Sequence, residues 1–107
     1  MVKPRRGEIW QYRFAAPDKR RPVVVLTRQE VLPLLRTAIV APITSTIRGL
    51  PSEVVVGADE GLKRDSAINL DHVQTVEQRS LHSFVGTVSE AKMRRVCRAL
   101  ALATGCA

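Results

Sequence analysis

From Glu8 to Phe14 the chain reads EIWQYRF, and its large aromatics recur at every second position. Trp10, Tyr12 and Phe14 share one side with Glu8, while Ile9, Gln11 and Arg13 share the other. A period of two belongs to a β-strand, so this segment predicts a strand half buried by its aromatic face. The next apolar block, Val23 to Leu26 in KRRPVVVLTR, is unbroken. Such a run predicts a strand covered on both sides. Pro22 belongs at the start of that strand, because it donates no ladder hydrogen bond. Residues 28–36, RQEVLPLLR, read as a short helical or irregular crossover interrupted by Pro33. In TAIVAPIT the β pattern resumes, and Pro42 predicts an edge or bulged position there.

The second half continues in short pieces. IRGLPSEVVVG gives a turn at Arg48 to Pro51 and a strand over Glu53 to Val56, while ADEGLKRD reads as a solvated polar loop. SAINLDHVQTV predicts one bent strand or two short ones, and FVGTV a last one. Everything before residue 88 is thus β and turn, with the strand spacing of a small barrel. The C-terminal segment differs in kind. Ser89 is a good N-cap, Glu90 stands in the favourable first turn, and Gly105 supplies a stop for one helix. Met93, Val96, Cys97, Leu100 and Thr104 fall on one face of it, with Lys92, Arg94, Arg95 and Arg98 largely outside. An amphipathic helix of this kind must pack against the barrel or a second subunit.

At 107 residues and 45% hydrophobic composition, the chain predicts a single domain over residues 1–107 with one real core. No stretch approaches the roughly 18 apolar residues of a membrane span. MVKPRRGEIW has no apolar signal core behind its basic residues, so a cytoplasmic protein is expected. Cys97 and Cys106 match no zinc or redox spacing. Nine helical residues would hold them roughly 13 Å apart, too far to bridge, so both are expected reduced, with Cys97 a small core residue.

Charge changes the picture most. The net charge is +7, and residues 1–50 carry all of it, with ten Lys and Arg against Glu8, Asp18 and Glu30, while residues 51–107 sum to zero. A one-sided excess of this kind points to a polyanion or an acidic protein partner. If the strands at 22–27 and 37–43 pair antiparallel, Arg21 meets Thr44 at one end of the sheet. Lys19, Arg20 and Arg21 then face Thr44, Ser45 and Thr46, with Arg48 just beyond. A guanidinium fork and hydroxyl donors converging on one point suit a phosphate oxygen. The same residues also fit ordinary loop chemistry with solvated cations. His72 and His82 form no zinc pattern, and the dispersed carboxylates form no two-metal centre. Phosphoryl chemistry here would run without metal or other cofactor.

Taken in order, GEIW, KRRPVVVLTR, VAPITST, RGLPSEVVV, GLKRDSAINLDHVQTV, VGTVS and the closing helix resemble the MazF/PemK toxins of bacterial toxin–antitoxin pairs over nearly the whole chain. The resemblance implies a mainly β fold with one α-helix, an SH3-like barrel of the CcdB/MazF type with about six to seven short strands. It implies a homodimer and a metal-independent endoribonuclease that cuts single-stranded RNA at short sequences, leaving a 2′,3′-cyclic phosphate and a 5′-hydroxyl. A cognate antitoxin with an acidic, initially disordered tail is the implied protein partner.

Carried onto this chain, the catalytic pair is Arg21 and Thr44, with Lys19, Arg20, Ser45, Thr46 and Arg48 gripping RNA. Two departures bear on proton transfer. Many relatives have a longer glycine-rich loop with a carboxylate before the Arg, whereas AAPDKR is short and offers Asp18. His72 stands where relatives often have Gln; it reads first as a structural or rim histidine, with proton transfer as the alternative, since histidine is the residue type suited to moving protons near neutrality. Two other readings compete: a non-enzymatic gyrase poison of the CcdB kind, whose partner contacts depend on an aromatic near a C-terminus that here reads ATGCA, and a basic nucleic-acid-binding barrel without catalysis.

Overall fold

Three consecutive valines organise the sheet. The computed structural model describes residues 3–14 and 20–106, and within them Val23, Val24 and Val25 of strand β2 (Arg20–Val25) are wholly buried. Side chains alternate across a strand, so complete burial of neighbours requires a core on each side. On one side Val24 packs with Ile9, Ala41 and Ile43 beneath the helix. On the other, Val23 and Val25 pack with Trp10, Leu32 and Val40. The unbroken apolar run predicted this double burial.

The strands form one antiparallel, curled half-barrel. β2 pairs with β1 (Glu8–Arg13) on one edge and β3 (Thr37–Thr44) on the other, with Val23 opposite Pro42. β4 (Glu53–Val56) and β5 (Ser66–Asn69) extend the sheet beyond β3, and β7 (Ser83–Thr87) closes the far side against β1. β6 (Gln74–Glu77) also pairs with β3, so SAINLDHVQTV is two strands separated by a 3-10 turn over Leu70–His72.

Pro42 does not mark an edge. β3 is central, but it changes partner along its length: residues 37–40 pair with β6 and residues 43–44 with β5. The Ile39 carbonyl accepts from Leu26 N, so odd-numbered positions of β3 turn their backbone groups toward β2. Even-numbered Pro42 turns away, into the gap between β6 and β5, where its missing N–H breaks no ladder bond. β1 is likewise buried on both faces, since Ile9 is fully covered as well as Trp10.

The helix α1 (Glu90–Thr104) begins as expected, with Ser89 Oγ accepting from Lys92 N at 3.1 Å, and ends at Gly105 in the left-handed region. Its buried stripe is Met93, Val96 and Ala99, flanked by Leu100 and Ala103. Cys97 and Thr104 are exposed, which corrects the expected face. The cause is tertiary: α1 rests on β4 and the 70–72 turn, and that contact selects the 93–96–99–103 line. Both cysteines are free, as expected.

ADEGLKRD is not simply solvated. Glu60 is only 4% exposed. Its Oε1 accepts from Gly57 N at 2.7 Å and its Oε2 meets Lys92 Nζ at 2.8 Å, tying the 58–60 turn to the helix. Burial opposes its ionisation, but the Lys92 hydrogen bond and charge and the Gly57 N–H outweigh it, and the carboxyl lies below its ordinary range. Among the described residues, no helix is long and apolar enough to cross a membrane.

Candidate active site

Continuing the β2–β3 register two residues past Val23 and Pro42 sets Arg21 opposite Thr44. Directly opposed residues of an antiparallel pair share a face, and both side chains line one cleft of about 330 Å³ at that end of the sheet. The cleft lies on the Val23 and Val25 side, so the sheet separates it from α1. Arg21 is exposed and Thr44 half-buried.

Each wall has a local cause. Thr44 Oγ1 accepts from Thr46 N at 3.1 Å, a short ST turn that fixes the hydroxyl and leaves its own proton to donate outward. Thr46 and Arg48 extend this wall. Beyond them, Glu53 Oε1 accepts from the backbone N–H groups of Arg48, Gly49 and Leu50 at 3.1, 3.0 and 3.4 Å. One carboxylate thereby folds the 48–50 turn back on β4, and Glu53 itself faces the cleft. Gly49 has a φ of 71°, a turn conformation that a side chain would strain.

The opposite wall is set by the 70–72 turn. Asn69 Oδ1 caps it, accepting from Asp71 N at 3.0 Å, and the Asp71 carboxylate accepts a hydrogen bond from the Ser52 hydroxyl. The turn leaves His72 and Gln74 facing the cleft beside Asn69. Phe14 closes the remaining side, its ring held edge-on to Tyr12 with centroids 4.9 Å apart. Phe14 and Tyr12 are partly buried, so the aromatic face of β1 is core at Trp10 and cleft wall at Phe14.

Five expected residues therefore converge: Arg21, Thr44, Thr46, Arg48 and His72. Arg20 and Ser45, adjacent to the paired residues, are exposed and do not line the cleft. Alternation accounts for this, since each is one position out of phase with its neighbour. Asp18 and Lys19 lie outside the described residues. Sequence reasoning missed Glu53, Asn69 and Gln74 as cleft residues, since their placement depends on how β3, β4 and β6 share edges. The sequence places Phe14 on the buried aromatic face; it becomes cleft wall because it lies just beyond the strand end. Among the described residues, no three His, Cys, Asp or Glu side chains are grouped to hold a metal ion.

Two arginines, two threonine hydroxyls, an imidazole and the Glu53 carboxylate thus surround one open cleft carried on an antiparallel half-barrel. The chain belongs to the PemK-like, MazF-like toxin family of type II toxin–antitoxin systems, whose family model matches residues 5–104. It is 48% identical over 105 residues to the probable endoribonuclease MazF5 of Mycobacterium tuberculosis, covering 96% of this chain and 94% of that one. Among solved structures, the Mycobacterium tuberculosis toxin MazF-mt6 superposes with a TM-score of 0.84 at 36% identity, covering 92% of this chain and 96% of that one. A mycobacterial endoribonuclease solved in complex with its cognate antitoxin shares the fold, with a TM-score of 0.84 at 24% identity and 95% of each chain covered.

Proposed function

We propose that this chain is the toxin of a toxin–antitoxin pair and acts as an endoribonuclease on single-stranded RNA, with Arg21 and Thr44 as its catalytic pair. The observation that carries the reading is the convergence of both side chains on one cleft in a member of this toxin family. RNA brings its own nucleophile, the ribose 2′-hydroxyl. Its oxygen attacks the adjacent phosphorus, the P–O5′ bond breaks, and the products are a 2′,3′-cyclic phosphate and a 5′-hydroxyl. The protein must hold the chain in line, stabilise the doubly charged pentacoordinate phosphorus and move two protons.

Arg21 is assigned the charge. Its planar fork matches two phosphate oxygens, and a guanidinium is a donor that does not readily give up its proton, so it is a clamp before it is an acid. Thr44 donates its hydroxyl proton to a non-bridging oxygen. His72, which lines the cleft, is one candidate for proton transfer, since an imidazole can accept and donate a proton through its ring nitrogens; Asp18 is the other. Arg48 and Thr46 in the cleft, Arg20 and Ser45 outside its lining, and Lys19 are assigned to gripping the flanking backbone.

The working form is proposed to be a cytoplasmic homodimer restrained by a cognate antitoxin with an acidic tail. The reading is tested by incubating the protein with single-stranded RNA in EDTA beside Arg21→Ala and Thr44→Ala variants. Cleavage by the native protein alone is expected. Intact RNA, or equal cutting by all three, contradicts the assignment.

A further inference from the structure

The β4–β5 register sets Glu53 directly opposite Asn69. Opposed residues of an antiparallel pair share a face, with Cβ atoms about 5 Å apart, and both of these side chains line the cleft. Neither offers its whole headgroup to a ligand. Glu53 Oε1 is occupied by the backbone N–H groups of Arg48, Gly49 and Leu50, and Asn69 Oδ1 by Asp71 N. What each leaves for the cleft is one carboxylate oxygen, Oε2, and one amide group, Nδ2. The bonds that consume the other oxygens also hold the two headgroups, so an acceptor and a donor stand side by side at a fixed spacing.

Their place in the sheet sets them apart from the reactive pair. Thr44 lies opposite Ala67, and one further step along that register brings Pro42 opposite Asn69. Val23 lies opposite Pro42 in turn. Val23, Pro42, Asn69 and Glu53 thus form one row across the sheet, two residues in from the row of Arg21 and Thr44. Two residues of strand span about 7 Å, room for a nucleobase beside a phosphate held at Arg21. A carboxylate repels a phosphate, so the Glu53 end of the cleft disfavours the backbone and suits an uncharged ring. An acceptor beside a donor is complementary to an amidine edge, an exocyclic amino group next to a ring nitrogen that accepts. Cytosine has that edge at N4 and N3, and adenine at N6 and N1. Uracil and hypoxanthine carry a carbonyl in place of the amino group, and its oxygen would face the carboxylate.

We propose that Glu53 and Asn69 are specificity-determining residues that read the amidine edge of a cytosine or adenine next to the scissile phosphate. The inference rests on the ribonuclease reading for the polymer and adds which bases it takes beside the cut.

The experiment gives the native protein single-stranded RNA of random sequence and reads the bases flanking every cut by sequencing. Binding is measured in parallel with uncleavable 2′-deoxy oligonucleotides matched except for cytosine against uracil, or adenine against hypoxanthine. One position beside the cut is expected to hold cytosine or adenine, the two matched pairs telling which, and the oxo counterpart is expected to weaken binding and cleavage about tenfold or more. Glu53→Gln keeps an oxygen for the 48–50 turn and can aim its amide N–H groups at the cleft, so it is expected to erase or invert the preference at that position alone. Asn69→Asp keeps the oxygen that caps the 70–72 turn and removes the donor, and its effect is expected at the same position. Uracil or guanine at that position, no base preference, or an unchanged preference in both variants overturns the proposal. So does a uniform loss of cleavage in Glu53→Gln with base preference in binding intact, which leaves Glu53 a support of the 48–50 turn. Should the variants fail to fold, the oxo-for-amino exchange read on the native protein decides alone. Absence of RNA cleavage with cytosine or adenine still preferred in binding refutes the ribonuclease reading and not this one.

Discussion

Arg21 combines exposure with a rigid base, which is what a phosphate clamp requires. Immobilising a long side chain on a flexible loop carries an entropic penalty of about 1.5–2 kcal/mol at binding. Here Pro22 restricts the backbone at the strand start, and the buried Val23 to Val25 run fixes everything below it. Replacing Arg21 with Ala is predicted to lower single-turnover RNA cleavage by roughly a hundred- to a thousandfold. Thr44→Val, which keeps the shape and removes the donor, should act in the same direction, and the pair should lose much less than the product of the single effects. Glu60 gives a prediction of a different kind. Its carboxyl is held below its ordinary range when folded, so the unfolded chain binds the proton more tightly. The stabilisation it provides is therefore present above the ordinary carboxylate pKa and is lost as pH falls through the folded-state value. Thermal melts across the acid range should show this slope in the native protein and a flatter one in Glu60→Gln.

At the scale of elements, the helix and the sheet can be disturbed separately from the chemistry. Ser89→Ala removes the cap on Lys92 N and is expected to destabilise the protein by about 1 kcal/mol while leaving cleavage at permissive temperature unchanged. Gly86 is the more sensitive position. A Cβ there would lie 2.0 Å from the Glu60 carbonyl oxygen, a backbone atom that cannot swing aside. Gly86→Ala should thus lower the denaturation midpoint more than Ser89→Ala does. The legibility of the chain divides along the same line. Local signals were readable: the alternation of EIWQYRF, the double burial of VVVL, and the Ser89 and Gly105 helix ends each depend on residues close in sequence. What the sequence hid was edge sharing. Pro42 predicted an edge or a bulge because nothing local reveals that β3 exchanges β6 for β5 at that point. Glu60 looked solvated because its partner, Lys92, lies 32 residues away. Arg21 opposite Thr44 was legible because it follows from the antiparallel pairing of neighbouring strands, whereas Glu53, Asn69 and Gln74 reach the cleft through those hidden edges.

For the molecule as a whole, part of the charge imbalance falls on two basic regions on opposite sides of one sheet, while Lys3 and Arg36 line a third depression. Arg21 and Arg48 face the cleft, and Arg5 and Arg6 join Arg94 and Arg98 at a groove beside the start of α1. The N-terminal excess of +7 in the sequence therefore does not belong to one surface, and the surfaces should contribute differently to RNA binding. RNA affinity is expected to fall with salt at a log–log slope of about −0.7 for each phosphate neutralised. Charge reversal at Arg94 and Arg98 should leave that slope nearly unchanged, whereas Arg48→Ala should reduce it. If Arg21 and Thr44 together cut RNA through its own 2′-hydroxyl, the cut must leave its mark on the new ends. The most direct measurement is the chemistry of the new 3′ ends after single-stranded RNA is incubated in EDTA with the native protein and with the Arg21→Ala, Thr44→Ala double variant. The native protein is expected to leave 2′,3′-cyclic phosphate ends, and the variant intact RNA. A 3′-hydroxyl at the cut, or cyclic phosphate ends from both proteins at similar rates, would contradict that chemistry.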